Sequence, residues 1–358
     1  MPCTRPLQAY RSLTKKTQTD NQLISLKLKD VSQYGPYETF LLQCGQCQSC
    51  RITRSRQWAL RCVHEADQWE HNCFITLTYA DEHLQIETKE CEKCPIYKKR
   101  NPNEPCAKGS ICKRDFQLFM KRLRKKFKGI EPVPGTNRFP IRYFHCGEYG
   151  EKLTRPHHHA CVFNFQFPDR VRHEAAPRFR APQEIEGKTY QLYTSKILSE
   201  LWPMGYHRIG EVTWQSAAYV ARYVTKKING PEAAIHYLNG HPDLETGECY
   251  YIEPEYITMS RRPGIGAYWF NKYGEKQYEK DYITHLGIKY GIPSYYDKLL
   301  DKLPHANLKL IQKERRQRLS KNPETMKQIL QRLQARETLQ NQRFQKLMRS
   351  IENDPKNV

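Results

Sequence analysis

Strand-like and helix-like patterns alternate through the middle of this chain. Cys73-Phe74-Ile75-Thr76-Leu77-Thr78-Tyr79 is β-branched and aromatic, the composition of a strand. Asp115 to Phe127 carries apolar residues at helical spacing among lysines and arginines, and Gly129 is expected to stop that helix. Ile141 to Glu148 reads as a second strand. Arg155 to Phe163, continued by Phe165 and Phe167, reads as a third. Ser195 to Trp202 predicts a helix, His207 to Thr213 a strand, and Gln215 to Ile228 another helix. An amphipathic helix over Arg51 to Glu70 precedes them all. Strands mixed with helices in this order predict an α+β fold, a central, largely antiparallel sheet flanked by helices. The short spacing between Glu148 and His157 makes those two strands antiparallel neighbours.

The flanks are less regular. Residues 1 to 50 show little periodicity and end in Cys44-Gly45-Gln46-Cys47-Gln48-Ser49-Cys50. Residues 80 to 112 are polar, contain proline and hold four cysteines, which marks an insertion between strand and helix. Residues 231 to 300 are tyrosine-rich and irregular. From His305 the chain is rich in Gln, Lys and Arg, and Pro323 divides two helical patterns. Leu330, Leu333, Phe344, Leu347 and Ile351 are too sparse for a substantial core, so this segment reads as a basic helical tail that orders on a partner. The expected organisation is an N-terminal Cys-containing region and helix (1–70), a central α+β domain (71–230) with a Cys-rich insertion at about 80–112, a Tyr-rich accessory region (231–304) and the basic helical C-terminal tail (305–358).

A net charge of +21 points to a polyanionic partner, with nucleic acid foremost. No apolar run approaches the roughly 18 to 20 residues of a membrane span. The residues after Met1 lack the apolar core of a signal peptide. An intracellular protein without a membrane partner is expected. Thirteen cysteines then read as thiols and metal ligands rather than a disulfide framework.

The chemistry concentrates in Pro156-His157-His158-His159-Ala160. On a strand, His157 and His159 share one face and His158 points the other way. Two imidazoles side by side make half of a metal site, and Glu148, at the end of the neighbouring strand, supplies a carboxylate. That donor set accepts Mg²⁺ or Mn²⁺. Tyr219 and Tyr223 stand at i and i+4 on a predicted helix and can face one place. A tyrosine nucleophile conserves a phosphodiester bond for later transfer. Lys226 and Lys227 follow Tyr223 by one turn and can stabilise phenolate or phosphate. The bland alternative is a pair of core aromatics, with Val220 and Val224 in another apolar stripe. Cys91, Cys94, Cys106 and Cys112 offer four thiolates for a structural Zn²⁺ in the insertion. Cys44, Cys47 and Cys50 form a closer cluster with no evident fourth ligand nearby. The basic helix through Lys121 to Lys128 either grips DNA phosphate or is merely solvated.

The histidine motif resembles that of the HUH endonuclease superfamily, two histidines flanking a bulky residue. A closer resemblance is to the replication initiators of small single-stranded DNA phages, the Microviridae, particularly the gokushovirus branch. It is carried by Cys44-Gly45-Gln46-Cys47, Ser55-Arg56-Gln57-Trp58-Ala59, Phe74-Ile75-Thr76-Leu77-Thr78-Tyr79, Tyr143-Phe144-His145-Cys146-Gly147-Glu148-Tyr149-Gly150 and Tyr219-Val220-Ala221-Arg222-Tyr223-Val224. It runs from about residue 40 to 270 and leaves out the tail. The resemblance implies an HUH-type nickase fold and a rolling-circle initiator. Such a protein nicks the viral strand at a duplex origin, stays joined to the 5′ phosphate and recloses unit-length circles. It implies Tyr219 and Tyr223 as nucleophiles and His157, His159 and Glu148 as metal ligands. It also implies single- and double-stranded origin DNA as partners, in the cytoplasm of a bacterial host. The sequence has no Walker-type phosphate loop, so a host helicase and polymerase are expected beside it. The competing readings are a non-catalytic nucleic-acid-binding protein and a metal-dependent hydrolase without a covalent intermediate.

Overall fold

The computed structural model describes residues 3–18, 22–84, 109–150, 155–173, 183–185, 188–226, 237, 252–320 and 326–352. Its first elements are β1 (Leu7–Lys16), β2 (Gln22–Ser25), α1 (Lys29–Ser32), β3 (Tyr37–Leu42), α2 (Gln48–Ala66) and β4 (Asn72–Tyr79). Then come α3 (Lys113–Lys126), β5 (Arg142–Tyr149), β6 (Pro156–Phe163), β7 (Val171–Arg172), β8 (Gln183–Ile185), β9 (Lys188–Tyr190) and β10 (Tyr193–Thr194). They are followed by α4 (Lys196–Leu201), β11 (Gly205–Gly210), α5 (Trp214–Lys226), β12 (Tyr256–Met259), α6 (Ala267–Trp269) and α7 (Gln277–Lys280). The last are β13 (Ile283–His285), β14 (Ile288–Tyr290), α8 (Ser294–Leu300), α9 (Leu308–Ser320) and α10 (Met326–Glu352). The chain divides into two units, residues 1–54 with 307–358, and residues 55–306. Among the described residues no helix is long and apolar enough to cross a membrane.

The larger unit is α+β. Seven strands form one antiparallel sheet in the order β12-β5-β6-β4-β11-β10-β7. Alternate residues feed two cores, as the pleat requires. Ile75, Leu77, Ala160 and Val162 meet Phe116, Phe119 and Leu123 of α3 and Leu198 of α4 on one face. Phe144, Cys146, Cys161 and Phe163 meet Ala59 and Cys62 of α2 and Ala217, Val220 and Ala221 of α5 on the other. Phe116, Phe119 and Leu123 are essentially inaccessible to solvent, and each such side chain stabilises by roughly 2 kcal/mol. Glu65 of α2 is buried beneath this second layer. Arg142, the Trp69 indole and the Gly266 amide all donate to its carboxylate, so its charge is compensated.

Several boundaries differ from the sequence reading. Residues 1 to 50, which show little periodicity in the sequence, contain a three-stranded antiparallel sheet ordered β2-β1-β3. On β1 only Ala9 and Ser12 are buried, so no apolar alternation betrays the strand. The first amphipathic helix begins at Gln48 rather than Arg51 and stops at Ala66 rather than Glu70. The Asn72 amide stops it by donating to the carbonyls of Ala66 and Trp69. Gly129 does not end α3. The chain leaves the helix at Phe127, in extended conformation, and the Phe127 ring packs on Phe165. The strand expected over His207 to Thr213 ends at Gly210 instead. Thr213 is taken by the cap of α5. Within the stretch expected to be irregular, β12 adds an edge strand beside β5. In the C-terminal segment α9 and α10 are regular helices on which Leu308 and Leu333 are buried.

Buried histidines, His64 and His207 among them, set a pH dependence. His64 stacks on Trp269 with ring centroids 3.5 Å apart, and burial followed by repulsion from His285 pulls it to about 3. Burial and then the Arg208 charge pull His207 to about 4. Unfolded histidine titrates near 6.5. Both folded values are depressed, so this stability is complete above about pH 6.5 and is lost as pH falls towards 4, on the order of 1 kcal/mol per pH unit for each group. Urea-unfolding midpoints are therefore expected to drop between pH 6.5 and 5, with a shallower slope in His64→Asn. A flat midpoint over that window contradicts this account.

Candidate metal centre and tyrosine helix

The site begins with strand register. β5 and β6 pair so that Glu148 lies opposite His157 and Cys146 opposite His159, while β4 places Thr76 opposite His159. Glu148, His157 and His159 therefore project from one face, the face covered by α5. Glu148 Oε1 is 2.8 Å from His157 Nε2 and 2.9 Å from His159 Nε2. Glu148 and His159 are buried, and His157 is partly open. Gly147 lets the neighbouring backbone be covered tightly, because a Cβ there would come within 2.9 Å of the Tyr256 ring.

The outer nitrogens are fixed as well. His157 Nδ1 lies 2.9 Å from the Arg155 carbonyl, and His159 Nδ1 lies 2.9 Å from Thr76 Oγ1. A carbonyl only accepts, so His157 Nδ1 carries the hydrogen and the neutral ring turns its Nε2 lone pair inward. That lone pair faces a carboxylate oxygen. The arrangement calls for a positive charge between them, either a proton on Nε2 or a cation. Burial alone would raise the Glu148 carboxyl, but its bonds to His157 and His159 outweigh this and hold it below the ordinary carboxylate value. Two imidazole nitrogens and an ionised carboxylate, with ligand atoms within 4.8 Å of one another, can hold a divalent metal ion.

The tyrosine helix is locally well specified. Thr213 and Ser216 cap α5 reciprocally: the Thr213 amide donates to Ser216 Oγ at 2.8 Å, and the Ser216 amide to Thr213 Oγ1 at 3.1 Å. Ala217, Val220 and Ala221 are the stripe that seats the helix on the sheet. Tyr219 flanks that stripe and stays partly open. Its hydroxyl donates to Glu148 Oε1 at 3.3 Å, and its ring meets His159 edge to face at 4.9 Å. Glu148, His157, His159 and Tyr219 thus come together. Tyr223 follows on the same helix one turn later, and α5 is described as far as Lys226. Lys227 lies outside the described residues, as do Cys91, Cys94 and Cys106 of the candidate zinc set. Cys112 is described and sits immediately before α3.

The middle histidine belongs to the other face. His158 is fully buried, with Nε2 2.9 Å from the Tyr79 hydroxyl and Nδ1 3.2 Å from His145 Nε2. Tyr79 donates to Asp115 at 2.8 Å, and His145 Nδ1 lies 2.8 Å from Thr258 Oγ1. Burial first, then repulsion from His157 and His159, pulls His158 to about 3. The ring is neutral and ties β4, β5 and β6 together beneath the site. Sequence reasoning missed Thr76, Tyr79 and His145. Strand alternation places Thr76 with the histidine pair, but finding it requires the pairing of β4 with β6.

Comparison with known proteins adds an independent line. The family model for the Replication-associated protein ORF2/G2P matches residues 72–228. The chain is 31% identical over 298 residues to Replication-associated protein VP4 of Bdellovibrio phage phiMH2K, covering 83% of this chain and 76% of that one. It is 31% identical over 342 residues to Replication-associated protein ORF2 of Spiroplasma virus 4, covering 92% and 90%. Replication-associated protein ORF4 of Chlamydia phage 1 is 27% identical over 265 residues, covering 74% and 55%. No solved structure matches the chain.

Proposed function

This chain belongs to the replication-associated proteins of Microviridae-like phages, and on that footing we propose that it initiates rolling-circle replication by cutting one strand of the viral origin with a tyrosine. The observation that carries this reading is the position of the Tyr219 hydroxyl, 3.3 Å from the carboxylate oxygen on which His157 and His159 converge. A nucleophile and a cation-binding centre lie within reach of one phosphate. A bound Mg²⁺ or Mn²⁺ would draw charge from a nonbridging phosphate oxygen.

The chain's own residues do the rest. Glu148 accepts from the phenol and holds its oxygen over the site. The Tyr219 oxygen attacks phosphorus in line, and the bond from phosphorus to the 3′ oxygen breaks. The 5′ phosphate stays on the tyrosine as a diester, and the proton the phenol gives up is, in balance, the one the 3′ hydroxyl gains. Attack by a 3′ hydroxyl on that ester reverses the step and recloses the strand. Tyr223 is assigned the second cut, one helical turn away, with Lys226 and Lys227 as cationic support. The net charge of +21 favours both single- and double-stranded DNA as ligand. Host helicase and polymerase would supply unwinding and synthesis.

Single-stranded origin DNA incubated with the full chain and Mn²⁺ or Mg²⁺ is expected to yield a protein–DNA adduct that survives denaturing electrophoresis and disappears with EDTA. Cleavage that leaves only protein-free ends would favour a metal-dependent hydrolase. Binding without cleavage or adduct would favour a non-catalytic role.

A further inference from the structure

The smaller unit contains a second cluster of metal-binding side chains, unrelated to the tyrosine site. Cys3 Sγ lies 3.6 Å from Cys44 Sγ and 3.7 Å from Cys47 Sγ, and with Cys50 the four sulfurs lie within 4.8 Å of one another. These distances are far beyond a disulfide bond of about 2.05 Å, and the four cysteines are free. A tetrahedron of sulfurs about 2.3 Å from a central zinc has edges of about 3.8 Å. The cluster is already close to that size.

The backbone explains how the set assembles. β1 and β3 pair with Leu7 opposite Leu42, which brings the residues before β1 beside those after β3. Gly45 turns the Cys44–Cys47 segment with φ +72°, a conformation that favours glycine. The Cys47 carbonyl accepts from the Arg51 amide at 3.0 Å, so Cys47 caps α2 and Cys50 falls in its first turn. Amides already point at sulfur, Cys47 N–H at Cys44 Sγ (3.2 Å) and Cys44 N–H at Cys3 Sγ (3.4 Å). Backbone N–H groups aimed at sulfur are the outer-shell donors that orient metal-ligating side chains.

A second observation points the same way. Among the described residues of this unit, the buried apolar side chains are Cys3, Ala9, Val31, Cys50, Leu308 and Leu333. Two of these six belong to the cluster, so among the described residues the cysteines are a large share of what this unit buries. Small domains with small cores commonly use a metal as a staple.

We propose that Cys3, Cys44, Cys47 and Cys50 bind one structural Zn²⁺, which fastens the start of the chain to the connection between β3 and α2. The thiols release their protons to solvent as the metal binds, and no electron is transferred. Four protein ligands leave no open position, so this zinc takes no part in DNA cleavage. Thiolates also select zinc over the harder Mg²⁺ and Mn²⁺.

The test uses the full chain carrying Cys91→Ser and Cys94→Ser, which leaves the other candidate set two thiols short of a four-cysteine site. Elemental analysis is expected to find about one zinc per chain, lost when Cys3→Ser is added. Cys3→His guards against a Cys3→Ser chain that fails to fold, because imidazole also ligates zinc. After cobalt substitution, Cys3→His is expected to keep the metal while the sulfur-to-cobalt charge-transfer absorption falls by about a quarter, three thiolates replacing four. A folded parent without zinc, or with iron in its place, overturns the proposal. So does zinc retained by folded Cys3→Ser, or an undiminished charge-transfer band in Cys3→His.

Discussion

Replacing Tyr219 by phenylalanine is expected to cut formation of the covalent DNA adduct by on the order of 10³-fold or more, the scale on which enzymes lose rate when a nucleophile is removed. The change deletes one oxygen atom. It leaves the ring on His159 and the α5 stripe of Ala217, Val220 and Ala221 in place. The lost bond to Glu148, at 3.3 Å, is long and contributes about 1 kcal/mol to stability at most. A folded protein that still binds DNA but forms little adduct is therefore the predicted phenotype. Residual adduct in Tyr219→Phe would come from Tyr223, and Tyr219→Phe with Tyr223→Phe should abolish it. Denaturing gels of end-labelled DNA, with circular dichroism of each variant, provide the measurement. Undiminished adduct in the double variant would reject both nucleophile assignments.

The second large effect concerns the imidazole pair. His157→Gln with His159→Gln is expected to weaken Mn²⁺ binding well beyond the 10–100-fold typical of losing an outer-shell partner. Adduct formation should fall with it, by about as much as in the tyrosine variants. Glutamine keeps a polar side chain beside Glu148 but does not restore the nitrogen lone pair that His157 turns inward while its other nitrogen is held by Arg155. Affinity for nonspecific DNA at low salt should change little, because it is set by phosphate neutralisation across a chain of charge +21. Titration calorimetry with Mn²⁺ separates the two quantities. Unchanged manganese affinity in the double variant would remove the metal role from these histidines.

Where side chains alternate along a strand, the sequence already carries the layout of the site. His157 and His159 fall on one face and His158 on the other because a strand has a period of two. Glu148 closes the strand read from the sequence before them, and the short spacing from Glu148 to His157 leaves antiparallel pairing as the simple outcome. Tyr219 is legible as a helical residue, yet its closeness to Glu148 depends on Ala217, Val220 and Ala221, rather than the tyrosines, being the buried stripe. Thr76, Tyr79 and His145 become visible only when β4, β5 and β6 are ordered in the sheet. The N-terminal strands were hidden for a different reason. β1 buries Ala9 and Ser12, one small and one polar residue, so no hydrophobic pattern marks it. Without that strand Cys3 has no reason to meet Cys44, 41 residues away, and the cysteine cluster reads as one ligand short. The end of α3 shows tertiary packing overriding a local stop, since Phe127 leaves the helix to reach Phe165 before Gly129 is met.

The most direct test of the account is to find the atom that carries the DNA. Trypsin cuts after Arg208, Arg222 and Lys226, so Tyr219 and Tyr223 fall on different peptides, Ile209 to Arg222 and Tyr223 to Lys226. Adduct formed with Mn²⁺, digested with nuclease and trypsin and sequenced by mass spectrometry, should carry a nucleotide 5′ phosphate on Tyr219, with any second population on Tyr223. A nucleotide on some other residue, with both of these tyrosines unmodified, would contradict it.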